Sequence, residues 1–286
     1  MIINNNLSSV VNIAYLPNFR EAMDFFRAVI ASNEHSQRVL SLTKRVIMLN
    51  AANYTAWHFR RTCLFELNQD LNEELSFLED FAENNPKNYQ VWYHRRALVE
   101  HLNDGTQEPQ FVSQILNNTD TKNYQAWAHR QWAIKRFNIW EGELEFCDYL
   151  LREDVRNNSA WNHRWFVVTR GGSMDQLDSN TAIQEFTYLQ EKAELAPSNE
   201  CPYSYLRAIS TISPTLKLGD DVVFTWLTEL LDNSASSSLV NLRSLLVDSL
   251  LERNQNDQAV ELCIQLANRY DPIRAAYWRW RAASIT

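Results

Sequence analysis

One nine-residue phrase, written four times at a fixed interval, limits what this chain can fold into. It reads Ala52-Asn53-Tyr54-Thr55-Ala56-Trp57-His58-Phe59-Arg60, then Lys87-Asn88-Tyr89-Gln90-Val91-Trp92-Tyr93-His94-Arg95, then Lys122-Asn123-Tyr124-Gln125-Ala126-Trp127-Ala128-His129-Arg130, and last Arg156-Asn157-Asn158-Ser159-Ala160-Trp161-Asn162-His163-Arg164. The tryptophans are spaced 35, 35 and 34 residues apart. A period of this length marks stacked helical hairpins, because one such unit cannot bury its apolar face without a neighbour. The chain is therefore expected to be all-α, a solenoid of tetratricopeptide-like hairpins. The second residue of each phrase is Asn, whose side-chain oxygen can cap an orphan backbone N–H. Tyr124, Trp127, Gln131 and Ile134 follow at helical spacing and are expected on one face. The indole and the guanidinium three residues on lie close together, so Arg130 is expected to stack on a ring. Trp57, Trp92, Trp127, Arg130 and Trp161 accordingly read as architecture.

With 286 residues the chain can bury a sizeable core, and a repeat running through it favours one elongated domain over residues 1–286. Only 5 Gly and 7 Pro fit helices with short connections. A net charge of −8 and a pI near 5.3 argue against a general nucleic-acid or anionic-membrane surface. Cys63, Cys147, Cys201 and Cys263 are far apart and form no CxxC, which leaves no disulfide framework or zinc knuckle and points to a reducing compartment. The start lacks the basic and apolar regions of a secretory leader, and no apolar run approaches the roughly 20 residues that span a bilayer. The cytoplasm is the expected location.

Residues 1–16 read as a loosely ordered lead-in. Helices are expected over Phe19 to Ile30 and through Val39, Leu42, Val46 and Leu49. Between phrases come segments such as Leu71-Leu75-Leu78-Phe81, closed by Asn84-Asn85-Pro86 before the next capping Asn. After Trp161 the rhythm loosens: a loop begins at Arg170-Gly171-Gly172-Ser173, and Pro197 to Tyr203 resembles a degraded fifth phrase with Tyr203 in the Trp place. Val223 to Leu231, Leu239 to Leu251 and Ala259 to Tyr270 are amphipathic, and Tyr277-Trp278-Arg279-Trp280-Arg281 reads as a terminal phrase.

His58, His94, His129 and His163 follow a repeat Trp by one or two residues. Ligands on successive repeats would stand about 10 Å apart, too far to share a zinc ion, so packing and inter-repeat hydrogen bonds are the expected use of these rings. No Ser/His/Asp signature, glycine-rich phosphate loop or paired-carboxylate motif is present, so the chain does not read as a self-sufficient enzyme. Before three of the capping asparagines stand Lys87, Lys122 and Arg156. A cation at a helix N-terminus adds to the positive end of the helix dipole, so these three either line an anion-binding ridge or are solvated turns.

At these residues the sequence resembles the α subunit shared by protein farnesyltransferase and protein geranylgeranyltransferase type I. The resemblance runs from Phe19-Arg20 and Phe26-Arg27-Ala28-Val29 through Leu49-Asn50-Ala51-Ala52-Asn53-Tyr54, Pro86-Lys87-Asn88-Tyr89-Gln90-Val91-Trp92, Lys122-Asn123-Tyr124 with His129-Arg130-Gln131-Trp132, and Glu153-Asp154-Val155-Arg156-Asn157-Asn158-Ser159, and continues to about residue 281. It departs from the family at Tyr203, where Trp is usual, and at His163, where Gln is common. It also lacks a proline-rich N-terminal extension, which implies a shorter homologue or a trimmed chain.

The resemblance implies a right-handed α-α superhelix, a crescent wrapped around a β subunit that holds the catalytic zinc and most of the prenyl diphosphate pocket. The heterodimer, dependent on zinc and magnesium, would join a farnesyl or geranylgeranyl group to the cysteine of a C-terminal CaaX sequence, as in small GTPases. This chain itself would bind no metal. Carried over by motif, Lys122 would lie near the isoprenoid diphosphate, with Tyr124 and Asn157 as neighbours. Tyr89 would border the peptide site, and Gln125 would hydrogen-bond the peptide's terminal carboxylate. Two other protein types share the comb of phrases: a non-catalytic tetratricopeptide-like scaffold, and the α subunit of the Rab-type geranylgeranyltransferase.

Overall fold

The computed structural model describes residues 13–171, 177–234 and 239–285. Of the expected lead-in, residues 1–12 lie outside these, and residues 13–16 form no helix; Gly172 and Ser173 of the expected loop also lie outside. The chain divides into two compact units, Met1–Ile139 and Trp140–Thr286, and every regular element among the described residues is helical.

In the first unit α1 (Pro17–Ser32) packs on α2 (Gln37–Leu49), which pairs with α3 (Tyr54–Glu66). The hairpins α4 (Leu71–Asn84) with α5 (Tyr89–Leu102) and α6 (Glu108–Asn118) with α7 (Tyr124–Phe137) follow. The second unit pairs α8 (Glu143–Glu153) with α9 (Asn158–Arg170), α10 (Ser179–Leu195) with α11 (Glu200–Ile212), α12 (Asp221–Asn233) with α13 (Val240–Glu252), and α14 (Asn256–Gln265) with α15 (Ala275–Ile285). Each phrase is thus the turn inside a hairpin and the start of its second helix, here the Trp helix. Within each unit the first helix of a hairpin, here the lead helix, packs against the hairpin before it, as α4, α6 and α10 do.

The hairpins are joined by residues that reverse the chain at once. Asn33, Asn68, Asn103 and Asn138, 35 residues apart, all hold φ between 49° and 57°, the left-handed conformation that asparagine tolerates best after glycine. At the other end Asn53, Asn88, Asn123, Asn157 and Asn199 each cap a Trp helix, the side-chain oxygen accepting from a backbone N–H two or three residues on.

The amide nitrogen of three of these asparagines, Asn88, Asn123 and Asn199, reaches back one repeat. Asn88 Nδ2 donates to the Ala51 carbonyl at 2.8 Å, and that oxygen also accepts the Trp57 indole N–H at 2.8 Å. The Pro86 oxygen takes Trp92 Nε1 at 2.9 Å and Asn123 Nδ2 at 3.0 Å, and the Val155 oxygen takes Trp161 Nε1 and Asn199 Nδ2, both at 2.9 Å. Tyr203 continues the series with oxygen for nitrogen, its hydroxyl donating to Pro197 O at 2.6 Å. The fifth phrase is therefore altered, not lost. Trp278 is buried too, but its indole donates to the Asp271 carboxylate at 2.7 Å.

The indoles are wedges. Trp57 packs against Phe81 of the next lead helix and His94 of the next Trp helix; Trp92 meets Phe111 and His129 in the same way, and Trp161 meets Tyr188 and Tyr205. The expected face of α7 needs one correction: Trp127 and Ile134 are buried, but Tyr124 is 70% exposed, because the first helical residue projects past the neighbour on which the rest of the helix packs. Arg95 and Arg164 do stack on rings, at 3.5 and 3.6 Å, but on Phe111 and Tyr188 of the following lead helix and not on the indole three residues back.

Buried carboxylates tie three lead helices, α4, α6 and α10, each to two Trp helices. Glu74 accepts Arg60 Nε at 2.7 Å from the hairpin before and lies 3.0 Å from His94 Nε2 in its own hairpin. Glu108 likewise joins Arg95 (Nη2, 2.7 Å) to His129 (Nε2, 2.5 Å), and Glu185 joins Arg164 (Nε, 2.7 Å) to Tyr205 Oη at 2.8 Å. Glu143 meets His163 Nε2 at 2.7 Å. Burial alone would raise the carboxyls of Glu74 and Glu108, but the hydrogen bonds from His94 and Arg60, or His129 and Arg95, bring them down to about 2. The imidazoles move the other way: burial lowers His94 and His129 more than the facing carboxylates raise them, so both stay neutral with Nε2–H donating. Arg61 Nη1 stands 3.4 Å from His94 Nδ1, a geometry that fits an unprotonated Nδ1.

Truncating one wedge, Trp92→Ala, is expected to cost about 3–5 kcal/mol in chemical denaturation. Glu108→Ala, which strands the buried Arg95 guanidinium, is expected to cost a similar ~3–5 kcal/mol. The pH dependence has two parts. A His whose folded pKa is depressed binds its proton more readily when unfolded, so stability is lost as pH falls through the unfolded His range near 6.5. A depressed Glu adds stability above its unfolded pKa near 4.5 that is lost as pH falls toward about 2. The melting temperature should therefore already decline between pH 7.5 and 5.5 and fall further below 4.5; a flat profile down to pH 5 would contradict the neutral, buried imidazoles.

Candidate functional site

The turn before each Trp helix fixes what its N-terminus displays. In Asp120-Thr121-Lys122-Asn123 the Asp120 side chain accepts the Lys122 backbone N–H at 2.9 Å and the Asn123 N–H closes on Asp120 O at 3.0 Å; Asp154 repeats both bonds with Arg156 and Asn157. Asn50 does the same with Ala52 and Asn53. This double turn spends the asparagine on the cap and turns its two neighbours outward. In the first unit the result is a row of exposed side chains 35 residues apart: Tyr54, Tyr89 and Tyr124, 71%, 67% and 70% exposed.

The residues singled out in the sequence fall on these starts. Lys122 is exposed, Tyr124 opens α7, and Gln125 beside it is half-buried, so the three share one helix start. Tyr89 holds the equivalent place on α5. Asn157, in the second unit, is 1% exposed, and its side-chain oxygen accepts from Ser159 N and Ala160 N, the duty performed by every other capping asparagine. Arg130 donates to Pro109 O at 2.7 Å and Ser113 Oγ at 3.0 Å, while Trp127 is buried and bonded to Thr121 O at 2.9 Å.

Sequence reasoning missed Asp120. Its carboxylate lies 3.8 Å from Lys87 Nζ, one repeat back, so the expected row of cations is interleaved with acid. The signal was an Asp two residues before the cation, present at both Lys122 and Arg156. The buried Glu74, Glu108, Glu143 and Glu185 were missed as well. With the inner histidines facing these carboxylates, no group of three or more His, Cys, Asp or Glu among the described residues is placed to hold a metal ion. Among the described residues no helix is long and apolar enough to cross a membrane.

The repeats match the family described as "Protein prenyltransferase alpha subunit repeat" at residues 36–67, 71–102, 106–137 and 140–171, which are the first four hairpins. The farnesyltransferase/geranylgeranyltransferase type-1 α subunit of Arabidopsis thaliana is 46% identical over 97% of this chain and 90% of its own length. That of Dictyostelium discoideum is 36% identical over 96% and 87%. Among solved structures, the Candida albicans protein geranylgeranyltransferase-I complexed with GGPP is similar at a TM-score of 0.85 and 26% identity, covering all of this chain and 96% of the matched one. A helical-repeat protein built from prenyltransferase α-subunit hairpins is thus the class defined by fold and likeness together. Within it, the chain belongs to the family of α subunits of protein farnesyltransferase and protein geranylgeranyltransferase type I. That separates it from the tetratricopeptide-scaffold and Rab-type alternatives.

Lys122 lies on the outer, exposed side of its turn, so Lys122→Ala is expected to leave thermal unfolding unchanged within about 0.5 kcal/mol. A larger loss would give Lys122 a structural duty in the turn.

Proposed function

We propose that this chain, as one repeat domain over residues 1–286, pairs with a prenyltransferase β subunit in the cytoplasm, and that the heterodimer transfers a farnesyl or geranylgeranyl group from the isoprenoid diphosphate to the cysteine of CaaX-ended proteins such as small GTPases. The single observation that carries this is likeness to farnesyl/geranylgeranyl type-1 α subunits along 97% of the chain. Zinc, which would make the cysteine a thiolate, and magnesium enter through the β subunit; in this chain His94, His129 and His163 are held on buried carboxylates.

In this role Lys122 faces the diphosphate. As the thiolate sulfur bonds to C1 and the C1–O bond breaks, the electron pair leaves with the diphosphate, and a fixed ammonium there stabilises charge that grows toward the transition state. Tyr124 is its neighbour, and Asn157 serves the same substrate by holding the start of α9. Tyr89 borders the peptide, and the Gln125 amide donates to the peptide's terminal carboxylate. Support comes from the exposed start of α7, where Lys122, Tyr124 and Gln125 project together.

The test is expression of the chain alone and with a β subunit, followed by transfer of labelled isoprenoid to a CaaX peptide. Activity is expected only from the pair. Lys122→Ala is expected to leave the pair assembled and slow turnover about tenfold to a few hundredfold, with Lys87→Ala much milder, although the two lysines occupy equivalent repeat positions. Activity from the single chain would overturn the subunit assignment; equal losses at Lys87 and Lys122 would overturn the role given to Lys122.

A further inference from the structure

We draw no further inference here: the strongest candidate, the apolar groove of about 710 Å³ between the second half of α1 and the first half of α2, lined by Phe25, Val29 and Leu42, carries nothing because no feature of the structure shows what covers it.

Discussion

A main-chain carbonyl that accepts two N–H groups recurs in three repeats and holds each of these hairpins in register with the next. The Ala51 oxygen receives the indole of its own repeat and the carboxamide of the next, and the Pro86 and Val155 oxygens do the same. A carbonyl has two lone pairs, and both are used where water is excluded. Each bond contributes only about 1 kcal/mol, yet the pair sets two distances at once: how deep the tryptophan sits, and how near the following helix start approaches. The capping of each Trp helix and the display of its first residues follow from that placement.

The buried Glu networks add a different kind of constraint. An apolar seam could slide by a turn at small cost; a carboxylate shared by an arginine and an imidazole cannot, because any slip leaves a charge unpaired in the interior. The neutral histidine lets two cationic residue types sit on one acid: a protonated ring would crowd the arginine, whereas the neutral ring offers one N–H and repels nothing. Position, not strength, is what these groups supply.

The comb and its caps were legible in the sequence because they are local: Asn before an aromatic and Trp four residues on report on one helix end. Even the altered phrase at Tyr203 could be seen, though not that its hydroxyl would stand in for an indole N–H. The glutamates were not legible. Glu108 and Glu143 are first residues of their helices, where an acid is ordinary by the helix dipole, and nothing nearby says that they are buried. Only their spacing, 34 or 35 residues from Glu74 to Glu108 to Glu143, held a clue. At the helix starts, the exposure of Tyr89, Tyr124 and Lys122 could not be read from a face count, which placed Tyr124 with Trp127; what these side chains do was read from resemblance to the family.

The spacings within the Glu networks also say how such an array can change length. From Glu to the ring of its own hairpin the separation is 20, 21, 20 and 20 residues, from Glu74 to His94 through to Glu185 to Tyr205. From Arg back in the preceding hairpin to Glu it is 14 and 13 in the first unit, but 21 from Arg164 to Glu185. The long addition lies between hairpins, whereas within them the separation changes by one residue at most. Chain growth in this architecture is therefore punctuated: whole periods can be copied or dropped and the joints between them lengthened without parting an acid from the ring of its own hairpin, while a longer insertion inside a hairpin would separate the two.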